Sequence, residues 1–213
     1  MSSLATKTRI LVVGGQCRNV GKTALIVDLI RAFPEVDWTA VKITPHAHES
    51  NPKNESVTSP PSSGQTVTLY EEHDPSARSD TARYLAAGAA RSLLLRTEEG
   101  RLAQDIPLLQ AALQTSKFAI LESNAILQFL TPTLYLLALD PAQPEFKSSA
   151  RSGLDQADAF VFRSPLQAAK WQDLSLQFVE KKPHFLQSFG ERLPADLEVF
   201  VRKSFFQDSN TPS

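Results

Sequence analysis

The sequence predicts an α/β fold in which a mainly parallel sheet lies between two layers of helices. Three observations predict it. Short apolar runs alternate with segments of helical periodicity, the pattern of repeated strand–helix–strand units. The first apolar run, Ile10 to Val13, passes through glycines into Gly21-Lys22-Thr23 and an amphipathic helix. Hydrophobic residues make up 42% of the 213, enough to build a core, in a length that suits one domain better than two.

Taken in order, Ile10–Val13 reads as a strand buried on both faces. A helix follows over Gly21–Phe33, with Leu25, Ile26, Leu29, Ile30 and Phe33 on one face and Pro34 ending it. Trp38–Ile43 is the second strand and Thr66–Tyr70 a short third. Ser79–Ala87 reads as a helix stopped at Gly88, which suits a left-handed cap. Ser92–Leu95 is a strand, and Asp105 is expected to cap the next helix with Pro107 in its first turn. Phe118–Leu121, Leu134–Leu139 and Ala159–Phe162 are buried strands, the last after a helical segment around Leu154. The end of the chain offers a strand at His184–Gln187 and a helix at Ala195–Phe205.

One domain over residues 1–205 is therefore expected, with a frayed tail at 206–213. Between Ser50 and Gly64, Val57 is the single apolar residue among serines, prolines and asparagines, so the segment is read as a mobile loop. Twenty-two basic against twenty-three acidic residues, with no basic stripe, argue against a nucleic-acid partner. The single cysteine, Cys17, rules out an intramolecular disulfide. The N-terminus lacks the apolar centre of a signal peptide, and no apolar run approaches the roughly 20 residues that span a bilayer. A cytoplasmic protein without a membrane segment is the expectation.

Gly14-Gly15-Gln16-Cys17-Arg18-Asn19-Val20-Gly21-Lys22-Thr23 stands between strand and helix, the context that defines a phosphate-binding P-loop. Such a loop wraps a polyphosphate in backbone N–H groups, which needs positions free of obstructing side chains. The helix that follows points its N-terminus at the same anion. The expected cradle is Gly14 and Gly15 at its start, Asn19, Val20 and Gly21 across its turn, and Lys22, Thr23 and Ala24 at the helix start. Lys22 would reach the β- and γ-phosphates, and the Thr23 hydroxyl would hold Mg²⁺. The loop departs from the usual pattern at Gln16, where a glycine is normal. Cys17 has a helix N-terminus nearby, which can depress a thiol pKa; the plainer reading is a small loop residue.

Phe118-Ala119-Ile120-Leu121-Glu122 is an apolar strand ending in a carboxylate, and Glu122 is read as the second Mg²⁺ ligand and a catalytic group. Ser123 and Asn124 stand next to it as hydrogen-bond donors toward a γ-phosphate or substrate. Lys42, at the carboxyl end of the second strand, lies where open α/β sheets bind ligands. Asp80 and Arg83, three apart on one helix, form a surface ion pair or face the site, Asp80 as a binding and Arg83 as a catalytic residue. His46 and His48, with His73 farther on, invite a metal reading, though surface histidines are the commoner case. No Asn-Lys-x-Asp motif follows a strand; Arg163-Ser164-Pro165 occupies the best-placed position, so ATP and GTP are not distinguished.

Three ordered features resemble the molybdopterin-guanine dinucleotide biosynthesis protein B family, within the P-loop class that also holds dethiobiotin synthetases and nickel-insertion GTPases. They are the unit around Gly21-Lys22-Thr23, the segment Val41-Lys42-Ile43-Thr44-Pro45-His46-Ala47-His48, and Asp80-Thr81-Ala82-Arg83 followed by Ala87-Gly88-Ala89. Glu122-Ser123 corresponds to a Glu-Gly pair in the family. The resemblance covers about the first 125 residues. It implies a three-layer P-loop NTPase fold and a GTP-binding, weakly hydrolysing homodimer that assists a molybdopterin nucleotidyltransferase. An ATP-dependent small-molecule kinase or ligase of the dethiobiotin synthetase type is the alternative, and a nucleotide-gated binding module without turnover a third.

Overall fold

The computed structural model describes residues 8–46, 68–98, 100–166, 169–171, 176–188 and 190–207. The expected loop at 50–64 and residues 208–213 of the expected tail lie outside them.

The chain opens with β1 (Arg9–Gly15), α1 (Lys22–Ala32) and β2 (Trp38–His46). β3 (Thr68–Glu72), α2 (Asp80–Ala86) and β4 (Arg91–Glu98) follow, then α3 (Leu102–Leu113) and β5 (Phe118–Glu122). A 3₁₀ turn at Ala125–Gln128 leads to β6 (Leu134–Leu139), α4 (Ser148–Gly153) and β7 (Ala159–Phe162). The chain continues through α5 (Leu176–Glu180), β8 (His184–Leu186) and α6 (Ala195–Val201), which runs into a π-helical turn at Arg202–Phe206.

The strands form one sheet in the order β3-β4-β2-β5-β1-β6-β7-β8, parallel throughout except for β3 at its edge. Strand alternation splits the core in two. Leu11, Val13, Ala40, Ile120 and Leu136 face α1, α2 and α6, whereas Val12, Val41, Leu121 and Leu137 face α3 and the 3₁₀ turn. This is the three-layer α/β/α arrangement of P-loop NTPases, and β1 lies at the sheet's centre between β5 and β6. No helix of the described residues is long and apolar enough to cross a membrane.

Two local expectations are corrected. Asp105 does not cap α3: the helix begins three residues earlier at Leu102, and Asp105 is buried inside its first turn. Pro107 therefore stands within the helix rather than at its first position. The apolar Leu102 packs into the core and extends the helix backwards, which capping residues alone do not reveal. Nor does the frayed tail begin at 206. Phe206 packs against Phe33 (5.1 Å), Phe118 (5.5 Å) and Phe205 (4.9 Å), and the Gln207 carbonyl accepts a hydrogen bond from Arg9.

Candidate functional site

The P-loop sits at the carboxyl ends of β1, β5 and β6. Gly21 enters α1 in a left-handed conformation (φ 100°), which glycine adopts without penalty. No side chain caps α1, so the amides of its first turn are left for an anion. Asn19 is also left-handed (φ 59°), and Arg163 at the end of β7 donates to its carbonyl at 3.2 Å.

Gly14 and Gly15 are needed for clearance. A Cβ on Gly14 would lie 2.5 Å from both Asn124 Oδ1 and the Tyr135 hydroxyl. One on Gly15 would meet Lys22 Cγ at 2.7 Å, because the lysine stem folds back over that residue. Asn124 grips Gly15 from the other side: its Oδ1 accepts from Gly15 N at 2.7 Å and its Nδ2 donates to Gly15 O at 2.8 Å. The Asn124 amide expected to reach a γ-phosphate is thus engaged with the loop itself. Ser123 Oγ accepts from Ile126 N at 3.3 Å and holds the 3₁₀ turn.

Sheet register assembles the acidic and basic groups. Glu122 pairs with Val13 of β1 on one side and with Lys42 of β2 on the other. Alternation turns Glu122 and Lys42 to the face covered by α1 and α2, opposite to Leu121 and Val41. There Glu122, only 6% exposed, accepts from Thr23 Oγ1 at 2.7 Å and from the Tyr84 hydroxyl. Lys22 Nζ stands 3.9 Å and Lys42 Nζ 3.7 Å from its other oxygen. Lys42 also donates to Asp80, whose second oxygen takes Arg83 at 3.3 Å. Asp80 and Arg83 therefore line the site through Lys42, with Arg83 at the exposed rim.

Burial pushes the Lys22 ammonium below its ordinary value, an effect that Glu122 partly offsets. Burial pushes Asp80 up, but the contacts with Lys42 and Arg83 outweigh it and hold the carboxyl below its usual range. Tyr84, fully buried with Glu122 beside it, is held well above the ordinary phenol value and stays protonated as a donor. Cys17 is raised, not depressed: burial of the thiol outweighs the nearby Lys22 charge.

Tyr84 is the residue that sequence reasoning missed. The signal was present, since Tyr84 follows Asp80 by four positions and so shares its helix face. Gln16, the departure from the usual P-loop pattern, has a structural role. Its side chain is fully buried, donating to the carbonyls of Gln143 and Glu145 (both 2.8 Å) and accepting from Asp140 N at 2.9 Å. His46 ends β2, His48 lies outside the described residues, and His73 is exposed. Among the described residues no group of three or more His, Cys, Asp or Glu is placed to hold a metal ion.

No family model matches the chain, and no curated protein sequence matches it. Among solved structures, it is similar to the "apo" form of LpxK from Aquifex aeolicus in complex with ATP, at 15% identity and a TM-score of 0.46. That match covers 90% of this chain and 60% of the other, so the chain spans about three fifths of the length of LpxK. It is also similar to HypB from Helicobacter pylori in complex with nickel, at 14% identity and a TM-score of 0.43, covering 98% and 94%.

Proposed function

We propose that this chain binds a purine nucleoside triphosphate, GTP in preference to ATP, and hydrolyses it slowly with Mg²⁺. In this reading it is a homodimeric accessory protein in the assembly of molybdopterin guanine dinucleotide, alongside the nucleotidyltransferase that performs the transfer. One observation supports the nucleotide-binding half above all. The Thr23 hydroxyl and the Glu122 carboxylate meet at 2.7 Å beside Lys22, at the mouth of an uncapped helix. The sequence resemblance, through Val41–His48 and Asp80–Ala89, supports the cofactor-assembly half.

The donor set fits Mg²⁺, a hard cation that takes one or two protein oxygens together with phosphate oxygens and water. Thr23 and Glu122 would hold it, and when bound it neutralises charge on the β- and γ-phosphates. The chain's own groups do the rest. Loop amides and the first turn of α1 receive the phosphates, and Lys22 adds a point charge that moves from Glu122 to the anion. The Tyr84 hydroxyl fixes the Glu122 carboxylate in place. Lys42, tied to Asp80, holds positive charge over the same cleft, and Arg83 closes its rim.

Calorimetric titration of the protein with GTP and ATP analogues in the presence of Mg²⁺ tests the reading, followed by phosphate release. Preference for GTP with slow, acceptor-independent release is the expected result. Preference for ATP with turnover that needs an acceptor would replace it with the kinase or ligase reading. Binding of neither would overturn it.

A further inference from the structure

The side chain of Gln16 is engaged within the chain itself. Its buried side chain carries three hydrogen bonds to the segment after β6, and its backbone carbonyl accepts a fourth from Lys147 N at 3.0 Å. Residues 140–147 are thereby clamped against the first half of the P-loop. The clamp builds a wall, and between that wall and the loop lies a solvent-open cleft of about 380 Å³ lined by Cys17, Phe146 and the exposed Arg18, Glu145 and Lys147. This volume falls in the range of small-molecule sites.

The lining has a definite chemistry. Phe146 is a fixed apolar wall: its ring meets Trp171 edge-on at 5.8 Å, and the Arg151 guanidinium sits 5.4 Å from its centre. Trp171 is itself tied to the wall by a hydrogen bond from Nε1 to the Gln143 carbonyl at 3.1 Å. Arg18 and Lys147 contribute two cations, neither in an ion pair with a described residue, against the one carboxylate of Glu145. The Cys17 thiol stays protonated and adds no negative charge. A ring flanked by unneutralised cations suits a flat ligand that carries an anionic group.

We propose that this cleft binds a second ligand beside the P-loop, a planar aromatic or heteroaromatic small molecule bearing a phosphate or carboxylate. Phe146 receives the ring, and Arg18 and Lys147 receive the anion. Gln16 is the positioning residue that holds the wall in register with the loop.

Phenyl phosphate is the probe, with inorganic phosphate as the control that lacks the ring. The chain has two tryptophans. Trp38 is buried at the opposite end of the sheet, so emission changes on titration belong to Trp171. Saturable quenching by phenyl phosphate is expected, with inorganic phosphate weaker by about tenfold. Lys147→Glu and Phe146→Ala should each weaken phenyl phosphate by about tenfold, while Glu145→Gln should tighten it. Lys22→Ala separates this site from the nucleotide site. If the ligand occupies the cleft, that variant loses nucleotide and keeps phenyl phosphate. Loss of phenyl phosphate in Lys22→Ala, or unchanged affinity in both Lys147→Glu and Phe146→Ala, overturns the proposal, because the anion would then be sitting in the P-loop. Equal affinity for the two phosphates overturns the assignment of a ring to Phe146.

Discussion

Tyr84 donates its hydroxyl to Glu122 Oε2, the same oxygen that receives the Thr23 hydroxyl. One carboxylate oxygen thus gathers a donor from α1 and a donor from α2, while the other faces Lys22 and Lys42. The arrangement holds the buried Glu122 carboxylate in a single orientation. It depends on Ser79, which caps α2 through Ala82 N at 3.0 Å, and on Glu72, which receives the Ser79 hydroxyl at 2.9 Å. The cap fixes where α2 starts, and with it the height of Tyr84 over the sheet.

Replacing Tyr84 by Phe removes one donor from a buried carboxylate and leaves ring packing intact. A stability loss of about 1–2 kcal/mol is expected in urea unfolding. The sharper readout is metal dependence. Nucleotide affinity should fall by about tenfold in Mg²⁺ and stay unchanged in EDTA, because Tyr84 acts through Glu122 and not on the phosphates. An equal loss in both conditions would mean that the substitution disturbs the P-loop itself.

Much of this was legible in the chain. The eight strands are readable as apolar runs, and the P-loop from Gly21-Lys22-Thr23 after one of them, whereas the order of the strands in the sheet is not. Glu122 was readable as a strand end, because an apolar run that stops at a carboxylate places it at the sheet's carboxyl edge. What the sequence hides is contact between elements. Gln16 and Asp140 are 124 positions apart, and nothing local in either announces the hydrogen bond between them. Asn124 reads as a phosphate contact because it stands two positions after Glu122, the expected metal ligand, yet the tight approach of Gly15 claims both ends of its amide. Cys17 reads most plainly as a small loop residue, and burial, which raises its thiol instead of activating it, agrees with that reading.

Gln16→Gly restores the usual P-loop glycine and tests what the glutamine does. Three side-chain hydrogen bonds are lost, leaving the carbonyls of Gln143 and Glu145 and the amide of Asp140 without that partner. A destabilisation of about 2–4 kcal/mol is expected from bonds of that kind. Trp171 emission should shift as the wall loosens, while nucleotide binding is retained. Loss of nucleotide binding with unshifted Trp171 emission would contradict the division between wall and cradle.

Lys22 links nucleotide binding to protons. In the free protein burial holds its ammonium below the ordinary 10.5, and the phosphates of a bound nucleotide would favour the charged form. The bound pKa then lies above the free one, so in the window between them binding takes up a proton. Affinity should be flat well below the free value and fall as pH rises through it. Calorimetry across an alkaline pH series, in two buffers of different ionisation enthalpy at each pH, measures the uptake. Lys22→Ala should abolish nucleotide binding, and a variant that binds as tightly as the parent would remove Lys22 from the site.

Asp28 gives stability a pH dependence of its own. It lies buried on α1, where its Oδ2 accepts from Gln187 Nε2 and Gly190 N, both at 3.1 Å. Burial pushes its carboxyl above the ordinary 3.8, and the two hydrogen bonds offset this only in part. The folded chain therefore keeps this proton to a higher pH than the unfolded chain does. The sign follows: the contribution to stability is fully present below the unfolded value and is lost as pH rises through the raised folded value. Asp28→Asn stays neutral throughout and can keep its carbonyl oxygen on both donors. Relative to the parent, the variant should gain stability in urea unfolding as pH rises above the ordinary 3.8. A stability difference that does not change with pH would mean that Asp28 titrates alike in the folded and unfolded chains.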